Sequence, residues 1–212
     1  MKNYTPVTDA MLRNPDPGDW LMVRRNYQAW SNTPLTQITP ANVRDLQLVW
    51  TWAMEEGGAN EPTPIVHNGV MFLANTGNII QALDAKNGEL IWENRLGPEN
   101  SNGLRAIRSI ALYDDKVYIG TSDVRLVALD AKTGELKWVY SINEGIRAAI
   151  SPRQLSGRGV SYWTAGNGDE RIIYITTGYR LVELNAKTGR PVESFGEHGV
   201  IDMKVGAYTG VA

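Results

Sequence analysis

The chain has 212 residues, enough for a sizeable core, and its 21 basic and 23 acidic side chains give a formal charge of −2, which argues against a phosphate-tracking nucleic-acid binder. It has no cysteine and two histidines, His67 and His198, so disulfides, thiolate metal sites and cysteine nucleophiles are excluded, and a histidine-rich metal centre or Ser-His-Asp triad is improbable. No apolar run approaches the ~18 residues of a membrane span, and Met1-Lys2-Asn3-Tyr4-Thr5-Pro6 lacks the apolar core of a secretory signal.

In chain order, Thr8–Asn14 reads as a short helix capped by Thr8 or Asp9 and ended by Pro15-Asp16-Pro17-Gly18. Thr39-Pro40-Ala41-Asn42-Val43 reads as a second helix start, a capping Thr with Pro at the first helical position. Leu46–Ala53 alternates as a strand, with Leu46, Leu48, Trp50 and Trp52 on one face. Apolar strand pairs follow: Val70–Ala74 with Ile79–Leu83, Lys116–Gly120 with Arg125–Leu129, and Arg171–Thr176 with Arg180–Leu184. Asn68-Gly69, Thr76-Gly77, Asp114-Asp115 and Asn167-Gly168 supply turn chemistry between strands.

The strand pairs end in a repeated motif. Leu83-Asp84-Ala85-Lys86-Asn87-Gly88-Glu89-Leu90-Ile91-Trp92 recurs as Leu129-Asp130-Ala131-Lys132-Thr133-Gly134-Glu135-Leu136-Lys137-Trp138, 46 residues on. A weaker copy, Leu184-Asn185-Ala186-Lys187-Thr188-Gly189-Arg190-Pro191-Val192, follows after 55. Short strands repeating at this spacing predict an all-β fold of four-stranded propeller blades. Within the motif the Asp accepts hydrogen bonds from turn amides and the Gly takes the positive φ. Trp92 and Trp138 are placed to pack between neighbouring sheets; the third copy has Glu193 there, which alters or removes the last docking contact. The expected organisation is an N-terminal extension with the first propeller strand (1–60), then blades at 61–103, 104–147 and 148–212, about three of a larger ring, with Tyr208-Thr209-Gly210-Val211-Ala212 ending before a closing strand.

Four stretches resemble the N-terminal part of the quinoprotein dehydrogenases, which depend on pyrroloquinoline quinone (PQQ). They are Gly18-Asp19-Trp20 through Tyr27 and Trp30 to Ser31-Asn32-Thr33-Pro34-Leu35-Thr36-Gln37-Ile38-Thr39-Pro40-Ala41-Asn42-Val43; Glu61-Pro62-Thr63-Pro64-Ile65-Val66; the Trp motifs; and Arg158-Gly159-Val160-Ser161-Tyr162-Trp163. The resemblance implies an eight-bladed ring with PQQ on its axis, a Ca²⁺ or lanthanide ion polarising the quinone, and hydride transfer from an alcohol, polyol or sugar. It further implies a cytochrome c or quinone as electron acceptor and a periplasmic location.

By the same resemblance, Glu61 is a cofactor contact, and an arginine pairs with a PQQ carboxylate, a planar fork on an anion. Arg108 and Arg158 both match that arginine: either a blade has been duplicated or one match is fortuitous. The family's adjacent-cysteine disulfide is absent, Asn100-Ser101-Asn102-Gly103-Leu104 standing in its place. No counterpart of the catalytic base or the metal ligands is found, so these are expected in a longer polypeptide, of which this chain is a part. The acidic turns Asp114-Asp115 and Asn167-Gly168-Asp169-Glu170 lack calcium-loop spacing and read as solvated hairpins, and both histidines read as surface imidazoles. The competing reading is a non-catalytic propeller-repeat scaffold, for outer-membrane assembly or protein interaction, built from the same Trp repeats.

Overall fold

The computed structural model describes residues 4–54, 61–97, 107, 110–121, 125–152 and 160–206. Its strands form three four-stranded antiparallel sheets, each a meander in chain order. The first holds β1 (Ile65–His67), β2 (Val70–Asn75), β3 (Ile79–Asp84) and β4 (Leu90–Arg95). The second holds β5 (Ile110–Tyr113), β6 (Lys116–Gly120), β7 (Arg125–Asp130) and β8 (Leu136–Ser141), and the third β9 (Val160–Gly166), β10 (Asp169–Ile175), β11 (Arg180–Asn185) and β12 (Val200–Asp202). The first strands touch one another, β1 against β5 and β5 against β9, so the sheets fan out as consecutive propeller blades.

Burial follows from that stacking. In the middle sheet β6 and β7 are buried on both faces, which is why Val117–Ile119 and Leu126–Leu129 read as continuous apolar runs. The last strands β4 and β8 are largely exposed except at Trp92 and Trp138. A bulge precedes each of these tryptophans, between Ala82 and Leu83 in one ladder and Ala128 and Leu129 in the other. The added local twist re-aims the side chain.

The motif works as one unit. Asp84 Oδ1 accepts from the Lys86 and Asn87 amides, Asp130 Oδ1 from Lys132 and Thr133, and Asn185 Oδ1 from Lys187 and Thr188. Gly134 then turns at φ +75°, where a Cβ would stand 2.6 Å from the Trp92 ring. That bare glycine lets the indole lie flat on the next sheet, and its N–H donates to the Ala131 carbonyl at 3.0 Å. The same pair of contacts joins Trp50 to Gly88 and Ala85, and Trp138 to Gly189 and Ala186. The packing expected of Trp92 and Trp138 is therefore observed, with Trp50 as a third instance.

Three expectations about regular structure need correction. The helix at Asp9–Arg13 is present, Thr8 capping it through the Met11 amide, but the segment from Thr39 gives only a turn and a short 3-10 helix, Val43–Asp45. Asn42 takes the Thr39 N–H on its own side chain at 2.7 Å, and the surrounding residues are exposed, so no packing rewards a longer helix. Leu46–Ala53 pairs with no strand among the described residues, and Leu48 is 81 % exposed. Trp50 and Trp52 nonetheless dock on the first sheet, Trp52 Nε1 donating to Gln81.

The third sheet does have a fourth strand, Val200–Asp202. In the first two sheets the ladder runs from Leu83↔Leu90 to Ala82↔Trp92, and from Leu129↔Leu136 to Ala128↔Trp138. In the third, the bridge Leu184↔Pro191 forms, but continuing it would set Glu193 opposite Glu183, a like-charge pair. Glu183 is instead buried against Arg171 at 2.9 Å. The chain turns out through the loop 193–199 and returns as β12 to pair Val200, Ile201 and Asp202 with β11.

Gly134→Ala tests the docking geometry. Positive φ and the clash with Trp92 together are expected to cost about 2–4 kcal/mol, measured as a lowered urea midpoint at unchanged slope. Trp92→Phe, which loses the bond to Ala131 and part of the ring, should cost about 1–3 kcal/mol.

Candidate functional site

The resemblance draws attention to the entries of the three first strands. Glu61 lies four residues before β1, exposed, in an extended segment whose Pro62 and Thr63 are half-buried. Arg108 and Arg158 each stand two residues before a first strand, β5 and β9 in turn, and both lie outside the described residues, as does 98–106. Ile107, next to Arg108, is buried in the core. In sequence, then, Glu61 precedes the first sheet by four residues, while Arg108 and Arg158 precede the second and third by two.

At the opposite ends of the first strands an N-terminal arm crosses the sheets. Trp20 pairs with Val66 and Val7 with Asp114 by backbone bonds of 2.8–2.9 Å. Beneath the arm is a cavity of about 360 Å³, walled by Leu12, Leu21, Met22 and Tyr27 on one side and Tyr113 and Tyr162 on the other. The Tyr113 and Tyr162 rings stack at 3.5 Å. Burial pushes both hydroxyls up in pKa, so both stay protonated across the physiological range.

His67 is not a surface imidazole. It is 1 % exposed, with Nδ1 2.7 Å from Asp19 Oδ2 and Nε2 2.8 Å from the Thr5 carbonyl. Its adjoining turn residues suggested exposure, but the arm covers that turn, a contact over 48 and 62 residues of chain. His198 is exposed as expected and pairs with Glu193 at 2.7 Å. The acidic turns are occupied by cations: Lys116 bridges Asp114 and Asp115, Arg171 holds Asp169, and Lys187 holds Glu170.

A second polar cluster escaped sequence reasoning. Glu144, its side chain 1 % exposed, accepts from Thr176 Oγ1 and the Gly178 amide, each at 2.7 Å, with Arg180 at 3.7 Å. Arg147 donates to the Gly178 carbonyl at 2.6 Å and clamps the Asp202 carboxylate with two N–H groups. Those bonds, and one from the Lys204 amide, bring the Asp202 carboxyl down to about 2. The cluster ties the connection after β8, including the short helix Ile146–Ala149, to the β10–β11 turn and to β12. Nothing in the spacing of these residues marks them, because the partners meet only once the third sheet is built.

Among the described residues no group of three His, Asp or Glu side chains could hold a metal ion, and no helix is long and apolar enough to cross a membrane.

Comparison with known proteins decides the family. Residues 20–116 and 110–211 match the glucose/ethanol/alcohol dehydrogenase β-propeller domain of the PQQ family. The chain belongs to this family. It is 40 % identical over 134 residues to the dehydrogenase subunit of an alcohol dehydrogenase (quinone) from Gluconobacter oxydans, covering 59 % of this chain and 17 % of that protein. It is 32 % identical over 197 residues to the quinohemoprotein alcohol dehydrogenase of Comamonas testosteroni, covering 84 % and 27 %. The structure of the quinohemoprotein alcohol dehydrogenase ADHIIG from Pseudomonas putida superposes with a TM-score of 0.71 at 28 % identity, over 87 % of this chain and 28 % of that one. The matched part is therefore less than a third of each relative's length. These relatives do not favour the scaffold reading.

Removing the buried carboxylate tests the Glu144 cluster. Glu144→Ala leaves the Thr176 hydroxyl and Gly178 N–H without their acceptor beside Arg180, and should cost about 2–4 kcal/mol. The loss should appear as a lowered urea midpoint and weakened amide protection in β10 and β11.

Proposed function

We propose that this chain is the cofactor-facing, N-terminal part of a PQQ-dependent dehydrogenase that oxidises alcohols, polyols or sugars. The reading is carried by one coincidence: the family match runs through 20–211, and within it Glu61, Arg108 and Arg158 stand in sequence four, two and two residues ahead of the first strands of successive sheets. The donor set suits the group. Guanidinium forks pair with carboxylates of an anionic quinone, and an exposed Glu61 offers an acceptor for a ligand N–H. Bound PQQ would supply the hydride acceptor that no side chain provides.

In this proposal the protein's own residues bind and orient. Glu61 and the two arginines hold the anionic cofactor by its polar rim; two arginines on consecutive blades would grip two carboxylates rather than compete for one. The catalytic base and the ligands of a Ca²⁺ or lanthanide ion belong to sequence beyond these 212 residues. A cytochrome c or a quinone takes the electrons onward, and the reaction takes place in the periplasm. The names of relatives, an alcohol dehydrogenase (quinone) and a 1-butanol dehydrogenase (cytochrome c), support the substrate and acceptor classes; the metal ion and the periplasmic location rest on the resemblance of the opening residues alone.

Titrating PQQ into the chain, followed by quenching of tryptophan fluorescence, tests the cofactor assignment. Glu61→Gln, Arg108→Ala and Arg158→Ala are each expected to weaken binding roughly tenfold, one charge-assisted hydrogen bond or pair. No binding by the wild type at saturating PQQ would defeat the reading. An unchanged affinity for one arginine variant would identify the other arginine as the carboxylate partner. Dye-linked oxidation of alcohols and sugars is expected only from a polypeptide extended beyond Ala212.

A further inference from the structure

The N-terminal arm is held to the first sheet at His67, and the atoms there set an unusual demand. The ring nitrogens face two oxygens at 2.7 and 2.8 Å, the Asp19 carboxylate and the Thr5 carbonyl. A carbonyl cannot donate and an ionised carboxylate cannot either, so only the imidazolium, with both nitrogens protonated, satisfies both. We propose that His67 is a protonation-dependent latch: charged, it ties Asp19 and Thr5 to the first sheet, and on losing a proton it turns one tie into a facing pair of lone pairs and loosens the arm.

The surroundings favour this assignment. Asn68 fixes the same two partners, its N–H donating to Asp19 Oδ1 at 3.1 Å and its side-chain amide to Thr5 Oγ1 at 3.1 Å. Tyr4 stands edge-on to the imidazole at 5.4 Å and donates to the Asp114 carbonyl. The carboxylates that act on Tyr4 are Asp19, Asp114, Asp115 and Asp130. Asp114 and Asp115 are paired with Lys116, and Asp130 with Lys137; Asp19 is paired with His67 itself. Burial alone would lower the His67 pKa, but the hydrogen bonds to Asp19 and Thr5 and the Asp19 charge outweigh it and hold it above its ordinary value. A folded-state pKa above the unfolded one gives stabilisation that is complete below the unfolded value of about 6.5 and is lost as pH rises through the folded one. The arm also forms one wall of the cavity over Tyr113 and Tyr162, so loosening it opens that space.

Amide exchange of Val7, Trp20, Val66 and Asp114, expressed as protection factors from pH 5.5 to 9, tests the latch in the chain as it stands. Protection should be flat below about pH 6.5 and then fall by up to about tenfold per pH unit until the ring has titrated. The ¹⁵N shifts of His67 should show both ring nitrogens protonated at pH 6.5. His67→Gln should make protection lower and independent of pH, while Asp19→Asn should lower the pH at which the ring titrates. His198→Gln should change neither. A neutral His67 ring at pH 6.5, or wild-type protection that stays flat to pH 9, overturns the proposal; the wild-type ring titration decides it even if a variant fails to fold.

Discussion

The architecture depends on an indole lying flat on a glycine. A propeller blade has one face toward each neighbour and no connection holding the faces together except the chain passing between them. Here Trp50, Trp92 and Trp138 each cover the motif glycine of the next sheet and donate to the alanine carbonyl three residues before that glycine. The contact is directional as well as apolar. A larger residue than glycine cannot sit under the ring, and a Phe cannot satisfy the carbonyl. The Asp or Asn that opens each motif holds the turn so that glycine and carbonyl present themselves together. Spacing between blades is thereby set by a side chain of fixed thickness, and the first strands come into register beside one another.

That register gives the two ends of the first strands different roles. The ends at the β1–β2 and β5–β6 turns are covered by the arm through the Trp20–Val66 and Val7–Asp114 backbone pairs and the His67 contacts. The other ends lead back along the chain to the proposed cofactor contacts: Glu61 precedes β1 by four residues, and Arg108 and Arg158 precede β5 and β9 by two. The arm contacts and the proposed cofactor contacts therefore belong, in chain order, to different ends of the first strands.

What was legible in the sequence follows the range of the contacts. The motif could be read because its turn bonds span two or three residues and because the chain repeats it; the helix capped by Thr8 was legible for the same local reason. His67 was misread because its partners, Asp19 and Thr5, lie 48 and 62 residues away. Glu144 was missed because its partners Thr176 and Gly178, in the β10–β11 turn, lie 32 and 34 residues away. Trp50 and Trp52 show both limits at once. Alternation put Leu46, Leu48, Trp50 and Trp52 on one face of a strand, but it does not supply a strand partner: the two indoles find acceptors in Ala85 and Gln81, while Leu46 and Leu48 stay exposed and the segment pairs with no strand among the described residues.

The third sheet shows how the repeat changes when one contact is withdrawn. With Glu193 in place of the docking tryptophan, continuing the ladder would bring two carboxylates together over a position where the other sheets carry Ala82 and Ala128. The sheet resolves the conflict by giving Glu183 to Arg171 and sending the chain through a loop before β12. β12 is only three residues long, too little to hold an outer edge by backbone bonds alone, and Arg147 reaches across from the preceding connection to clamp Asp202. The same arginine holds the Gly178 carbonyl, whose amide is held by Glu144. A network of charges thus replaces an indole as the fastening of this blade's outer strand. The replacement also changes where rigidity lies: the docking tryptophan would fasten this sheet to its successor, whereas the Arg147 network fastens it to the connection that leads into its own first strand.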